Sequence, residues 1–104
     1  MMGNARIEST MLGIEDQGIL TCYLHLRQEG AGQGFGGYSL KSHGIDMIKR
    51  ILETVGVSDW EDLPGEYVRV EGNDHKIRKI GHITDDKWYE PEAEYKEGEK
   101  SNDR

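Results

Sequence analysis

The residues with the most capacity for unusual chemistry lie in one short run, Gly30-Ala31-Gly32-Gln33-Gly34-Phe35-Gly36-Gly37-Tyr38. A glycine inside a regular element costs roughly 0.5–1 kcal/mol relative to alanine, so a cluster this dense implies that bare backbone is put to use. Gly32, Gly34 and Gly37 fit the spacing G-x-G-x-x-G, but Ser39-Leu40 follows where a dinucleotide-binding fold needs a helix, and 104 residues cannot hold a doubly wound sheet. No Gly-Lys-Ser/Thr follows either, which removes the P-loop. Two readings stay open. In one, the glycines are bulges that let a strand coil across a helix, with Phe35 or Tyr38 filling the core. In the other, Gly34, Phe35, Gly36, Gly37 and Tyr38 line a shallow site whose exposed amides and aromatic ring receive a phosphate-bearing ligand or a peptide.

A phosphate needs a cation, and the sequence concentrates Arg69, Lys76, Arg78 and Lys79 near its final hairpin, with Lys49 and Arg50 together on a helix. Arg69 and Arg78 are the expected ligand contacts, because a planar guanidinium matches two oxygens at once. The competing role for these bases is charge balance and protection of strand edges. His25, His43, His75 and His82 show no pairing at metal-ligand spacing, so neither a metal nor a cofactor is expected. Cys22 is the single cysteine; it falls on the apolar phase of a strand and reads as a small buried hydrophobe with a raised pKa. Each acidic group (Glu15-Asp16, Asp59 with Glu61 and Asp62, Asp85-Asp86) has a local use in a turn or a cap, and none sits in an apolar stretch that would tune it for proton transfer. The chain is therefore expected not to be an enzyme.

The elements that must hold these residues follow from periodicity. Leu20, Cys22, Leu24 and Leu26 alternate with Thr21, Tyr23, His25 and Arg27, which predicts a half-buried strand, with Arg6 to Ile14 as its hairpin partner across a turn ending at Gly18. A third strand is expected from about 33 to 40. Ile45, Ile48, Ile51, Leu52 and Val55 share one face of a helix that Ser42 caps and Gly56 ends, with Val57 set to touch Leu52 in a Schellman motif. Ser58-Asp59-Trp60-Glu61 has capping-box spacing for a short turn that must stop at Leu63-Pro64. Tyr67 to Glu71 and His75 to Ile83 then read as a hairpin with a bulge near Gly81. The expected fold is α+β: an antiparallel sheet of about five strands, order β-β-β-α-β-β, with one main helix packed on one face. Its core is expected to contain Ile7, Leu20, Cys22, Leu24, Leu26, Ile48, Leu52, Val55, Val68 and Val70, while Thr21, Tyr23, Tyr67 and Arg69 lie on the opposite sheet face and offer a surface for a homo-oligomer.

Composition sets the outer limits. Charged residues make up 32% and hydrophobic ones 35%, and 20 acids against 13 bases give a net charge of −7. Such a balance opposes nonspecific binding to nucleic acid or an anionic membrane. No apolar run is long enough for a membrane span, the first twenty residues hold no continuous apolar core, and a lone cysteine suits a reducing compartment, so a cytoplasmic location is expected. Residues 85–104 contain eight acids and four bases, −4 of the −7. They predict one domain over 4–90 and an acidic, mobile C-terminal tail over 91–104, with Trp88 and Tyr89 packing back onto the body.

Ala5-Arg6-Ile7-Glu8-Ser9-Thr10, Leu12-Gly13-Ile14-Glu15-Asp16, Gln33-Gly34-Phe35-Gly36-Gly37-Tyr38, Ile48-Lys49-Arg50-Ile51-Leu52, Trp60-Glu61-Asp62-Leu63-Pro64-Gly65 and Ile80-Gly81-His82-Ile83 together resemble a family of small proteins of tailed phages and prophages that carry a GQGFGGY segment. The resemblance covers most of residues 5–89 and brings no catalytic residues. It implies a role by binding, inside a host cell. Three expectations follow: a counter-defence protein that sequesters a small nucleotide-like ligand; an inhibitor of anti-CRISPR type whose acidic surface occupies a nucleic-acid-binding host complex; or a replication accessory protein or small hydrolase.

Overall fold

Two strands open the chain, β1 (Met2–Ile14) and β2 (Leu20–Gln28), and their hairpin turns where Gly18 adopts φ +76° and donates its N–H to Glu15 O. The computed structural model describes residues 2–15, 18–39, 43–73 and 76–95, the backbone alone being described at 37–39. β3 (Ala31–Ser39) pairs with β2, and β4 (Tyr67–Gly72), β5 (Ile77–Gly81) and β6 (Trp88–Tyr89) complete a six-stranded antiparallel sheet in the order β3-β2-β1-β4-β5-β6. Helix α1 (Gly44–Val55) and a 3-10 turn (Trp60–Asp62) fill the crossover from β3 to β4. This is the α+β class expected, with one more strand than the alternation predicts.

The sheet is rolled. β3 and β6 lie at opposite ends of six strands, and a flat sheet would hold them roughly 24 Å apart at about 4.8 Å per strand. Yet the Phe35 ring of β3 meets the Tyr89 ring of β6 edge-on at 6.2 Å between centroids. The concave interior so formed holds Ala5, Ile7, Cys22, Leu24, Leu26, Phe35, Val68, Val70, Ile77, Ile80 and Tyr89, and α1 closes it with Met47, Ile51 and Val55. A register shift between Ile7 and Ser9 bends β1 midway. Its first half pairs with β4 and its second half with β2.

Several residues fall elsewhere than periodicity places them. Leu20 is 47% exposed, because the hairpin runs on past the end of the core. Thr21 is buried rather than outward, its hydroxyl 3.3 Å from Ile19 O. The buried stripe of α1 is Met47, Ile51, Thr54 and Val55, rotated so that Ile48 and Leu52 flank it and Ile45 stands 86% exposed. Expected N-cap Ser42 lies outside the described residues; the helix is preceded by His43 at φ +64° with no side-chain cap. Its other end is as expected: Gly56 at φ +95° and Val57 both donate to Leu52 O, and Val57 packs on the core. The capping box at Ser58 does not form, since Asp59 flanks the 3-10 turn without a side-chain bond. In the last hairpin the irregularity lies at Glu71/Gly72 rather than near Gly81, and β5 ends at Gly81; Asp74 and His75 lie outside the described residues.

The body also extends beyond residue 90. A helical turn over 91–95 buries Pro91 and lays Tyr95 on the core. Tyr95 donates its hydroxyl proton to Asp46 Oδ2 (2.7 Å), so the Tyr89 hydroxyl, 2.9 Å away, must donate to Tyr95. His43 stacks on the Tyr95 ring at 4.4 Å and 7°. Arg50 adds a bond to Trp88 O and one to Glu94 Oε2, both at 2.9 Å, and a longer one from Nε to Glu94 Oε1 at 3.4 Å. The remainder of the expected tail, 96–104, lies outside the described residues.

Candidate functional site

The register of β2 against β3 sets each outward residue of β2 opposite a glycine: Tyr23 against Gly36, His25 against Gly34, Arg27 against Gly32. Because strand faces alternate, the intervening Phe35 points inward, where it is 1% exposed. The outer face of β3 is thus paved with bare backbone at every second position beside a row of tyrosine, imidazole and guanidinium. A shallow depression of about 380 Å³ lies there, lined by Tyr23, His25, Gly34, Phe35 and Gly36.

The three glycines are not equivalent. Gly36 takes φ +104°, and a Cβ there would meet Cys22 O at 3.0 Å, so the backbone itself demands glycine. At Gly32 a Cβ would meet His25 Nε2 at 3.0 Å, the movable end of a side chain. At Gly34 φ is ordinary, and the nearest atom to a Cβ is Leu24 O at 3.9 Å. Nothing in the fold requires the missing side chain at Gly34, and the depression opens over it.

Charge is arranged at one end of this trough. Glu8 accepts from Arg27 Nε at 2.7 Å and lies 3.9 Å from His25 Nε2. The Arg27 hydrogen bond, ahead of an opposing effect of burial, holds the Glu8 carboxyl below its ordinary range. The terminal amino groups of Arg27 keep no partner among the described residues, and Nη2 reaches to 3.8 Å from the Cβ position of Gly32. A planar group over Gly34 would find Tyr23 on one side, and an anion would find His25 and Arg27 on the other.

Of the residues singled out from sequence, Gly34 and Gly36 line this depression. Phe35 forms part of its floor from below, its ring committed to the core, and Gly37 and Tyr38 continue β3, Tyr38 in register with Cys22. Arg69 and Arg78 are not brought to it; they belong to β4 and β5, beyond β1 in the sheet. Arg69 donates to His82 O (2.7 Å) and Asp85 O (2.6 Å) and caps the Trp88 ring at 4.7 Å. Arg78 pairs with Glu71 and Glu90, Lys79 with Glu71, and Lys76 with Glu92. The basic hairpin therefore spends its charge inside the molecule. Tyr23, His25 and Arg27 carry no motif in the sequence; their signal is the alternation with Leu24 and Leu26, which places all three on the face that the glycines leave bare.

A larger cleft, about 620 Å³, lies between α1 and the segment before β6 and is lined by Arg50, Glu53, Thr54, Asp86, Lys87 and Trp88. Its guanidinium is already bonded to Glu94 and Trp88 O, and its acids and bases offset one another. Among the described residues no three His, Cys, Asp or Glu side chains converge as a metal site. Family models, curated proteins and solved structures give no match to this chain.

Proposed function

We propose that the chain is a non-enzymatic binding protein that holds a small nucleotide-like ligand on the outer face of β2 and β3. The base lies over Gly34 against Tyr23, and the phosphate lies against His25 and Arg27. The observation that carries this reading is Gly34: an unstrained strand glycine where a Cβ would meet only an ordinary contact, Leu24 O at 3.9 Å, and which lines the depression at a cost the fold does not require. Arg27 takes the place foreseen for Arg69 and Arg78, since it alone of the three borders the glycines with donors to spare. Sequestration of such a ligand in phage counter-defence is the role that the resemblance of the GQGFGGY segment supports. An acidic surface offered to a nucleic-acid-binding host complex has less support, because Glu8, Glu53, Glu71, Glu90, Glu92 and Glu94 each face a base.

Calorimetric titration with nucleoside monophosphates and cyclic dinucleotides tests the site, with backbone amide shifts to locate it. Binding should move the amides of Gly34 and Gly36. Gly34→Val should weaken it at least tenfold while leaving the melting temperature unchanged or higher, because valine suits a strand. Arg27→Ala should weaken phosphate-bearing probes and spare free nucleosides. Equal affinity in Gly34→Val, or no shift with any probe at millimolar concentration, would refute the reading.

A further inference from the structure

Among the described residues, the second half of β1 has no strand neighbour on one side. β4 pairs with β1 over Met2–Arg6, and Ile7 then donates to Glu66 O and accepts from Gly65 N. Beyond that, β1 and β2 continue as a two-stranded ribbon. Glu15 donates to Ile19 O, so the odd-numbered residues of this stretch bond to β2, and alternation turns the N–H and C=O of Thr10, Leu12 and Ile14 to the open side. Those groups have no backbone partner among the described residues.

The same ribbon exposes apolar side chains: Leu12 at 43%, Ile14 at 72%, and Ile19 and Leu20 beside them. It also lacks the guards by which natural edges avoid pairing. Ser9-Thr10-Met11-Leu12-Gly13-Ile14 contains no charge and no proline in a chain that is 32% charged. Glu8 and Glu15 bound the stretch at either end.

We propose that this edge is the interface of a homodimer, in which β1 of one protomer pairs antiparallel with β1 of a second copy about a two-fold axis through Leu12. Leu12 then faces the partner's Leu12, and Thr10 faces the partner's Ile14. About six backbone hydrogen bonds form, two at each bonded pair. Thr10, Leu12 and Ile14 lie on the same face as their β2 neighbours Leu24, Cys22 and Leu20, so the two apolar ledges merge into one strip. A second copy fits because two-fold pairing sets the uncharged residues 10–14 against the same five residues of the other copy and leaves Glu15 opposite Ser9, while an overlap one residue longer would set Glu8 opposite an acid of the other copy at position 16. Two short strands and a narrow ledge bury less than the roughly 800 Å² per partner of a standard interface, so the dimer is weak, with a Kd on the order of 100 µM. Each protomer carries −7, and added salt therefore tightens it.

Sedimentation equilibrium of the full chain, from about 10 µM to about 1 mM and at low and high salt, reads the association directly. The expected result is a monomer–dimer equilibrium that salt strengthens and that Leu12→Lys and Ile14→Lys each weaken at least tenfold. If Leu12→Lys fails to fold, Ile14→Lys at the exposed ribbon end decides the matter. In a Cys22→Ala background, Leu12→Cys should cross-link on mild oxidation, because bonded antiparallel pairs hold their Cα atoms about 5.5 Å apart, within disulfide reach, whereas Ser9→Cys should not. A wild-type chain that stays monomeric throughout overturns the proposal. So does a dimer that survives both lysine variants, which would place the contact on the Tyr23 and Tyr67 face instead.

Discussion

Tyr95→Phe removes one oxygen and should cost more than its size suggests. In the native chain the Tyr89 hydroxyl is wholly buried and donates to Tyr95, which donates in turn to Asp46. Without the Tyr95 oxygen, the Tyr89 hydroxyl is left buried with no partner, a cost of about 1–3 kcal/mol. The lost bond to Asp46 adds about 1 kcal/mol. Domains of this size lose roughly 4–8 °C per kcal/mol, so a total of about 2–4 kcal/mol should lower the melting temperature by roughly 8–30 °C. Tyr89→Phe differs: Tyr95 keeps its bond to Asp46, no buried group is orphaned, and the drop should be only a few degrees. The double variant should be more stable than Tyr95→Phe alone, because it removes the orphan. Thermal unfolding followed by circular dichroism at neutral pH measures all three. If Tyr95→Phe proves no worse than Tyr89→Phe, or if the double variant shows the sum of the two losses, water reaches the Tyr89 hydroxyl and the relay is not the clamp described.

Truncation tests the same clamp from the other side. Ending the chain after Tyr95 should shift the melting temperature by no more than about 2–3 °C, whereas ending it after Glu90 should lower it at least as far as Tyr95→Phe, since Pro91, Glu94 and Tyr95 go together. Cys22 offers a pH test, because burial pushes its thiol up to about 11 from 9.0. The folded state holds that proton after the unfolded chain has released it. This contribution to stability is therefore full below about pH 9 and declines as pH rises toward 11, and alkylation at pH 8.5 should label only unfolded protein.

Much of the scaffold was legible from local pattern. The β1–β2 hairpin announced itself through strict alternation and Gly18, and the end of α1 through Gly56 and Val57, because both signals are written in adjacent residues. What failed was whatever depends on partners distant in the chain. Ile45 matches the helical period but stands in solvent, since the direction from which the sheet meets α1 favours Met47. Leu20 matches the strand period but lies past the core. Among the described residues Tyr89 is the largest fully buried side chain, yet β6 is only two residues long and has no period to detect. The candidate site divides in the same way. The glycines were visible as an anomaly of composition, whereas Arg27 could be preferred to Arg69 and Arg78 only once the β2–β3 register and the partners of each guanidinium were known.

The position of β1 in the sheet also shapes how this protein emerges from a ribosome. β1 is made first, and its neighbour β2 follows directly, but its other neighbour, β4, is finished only at Gly72. At about 5–20 residues per second, the roughly 40 residues between the end of β2 and the end of β4 take some 2–9 s to appear. For that interval the half of β1 that β4 will cover stays open, in addition to the half that no later strand covers among the described residues. A nascent chain therefore carries a β1 edge open along its whole length, and polysomes holding several such chains side by side are where mispairing between copies would begin. Translation speed through α1 and the turn after it thus becomes a determinant of yield, and slowing synthesis there should increase the fraction of chains that aggregate before β4 arrives.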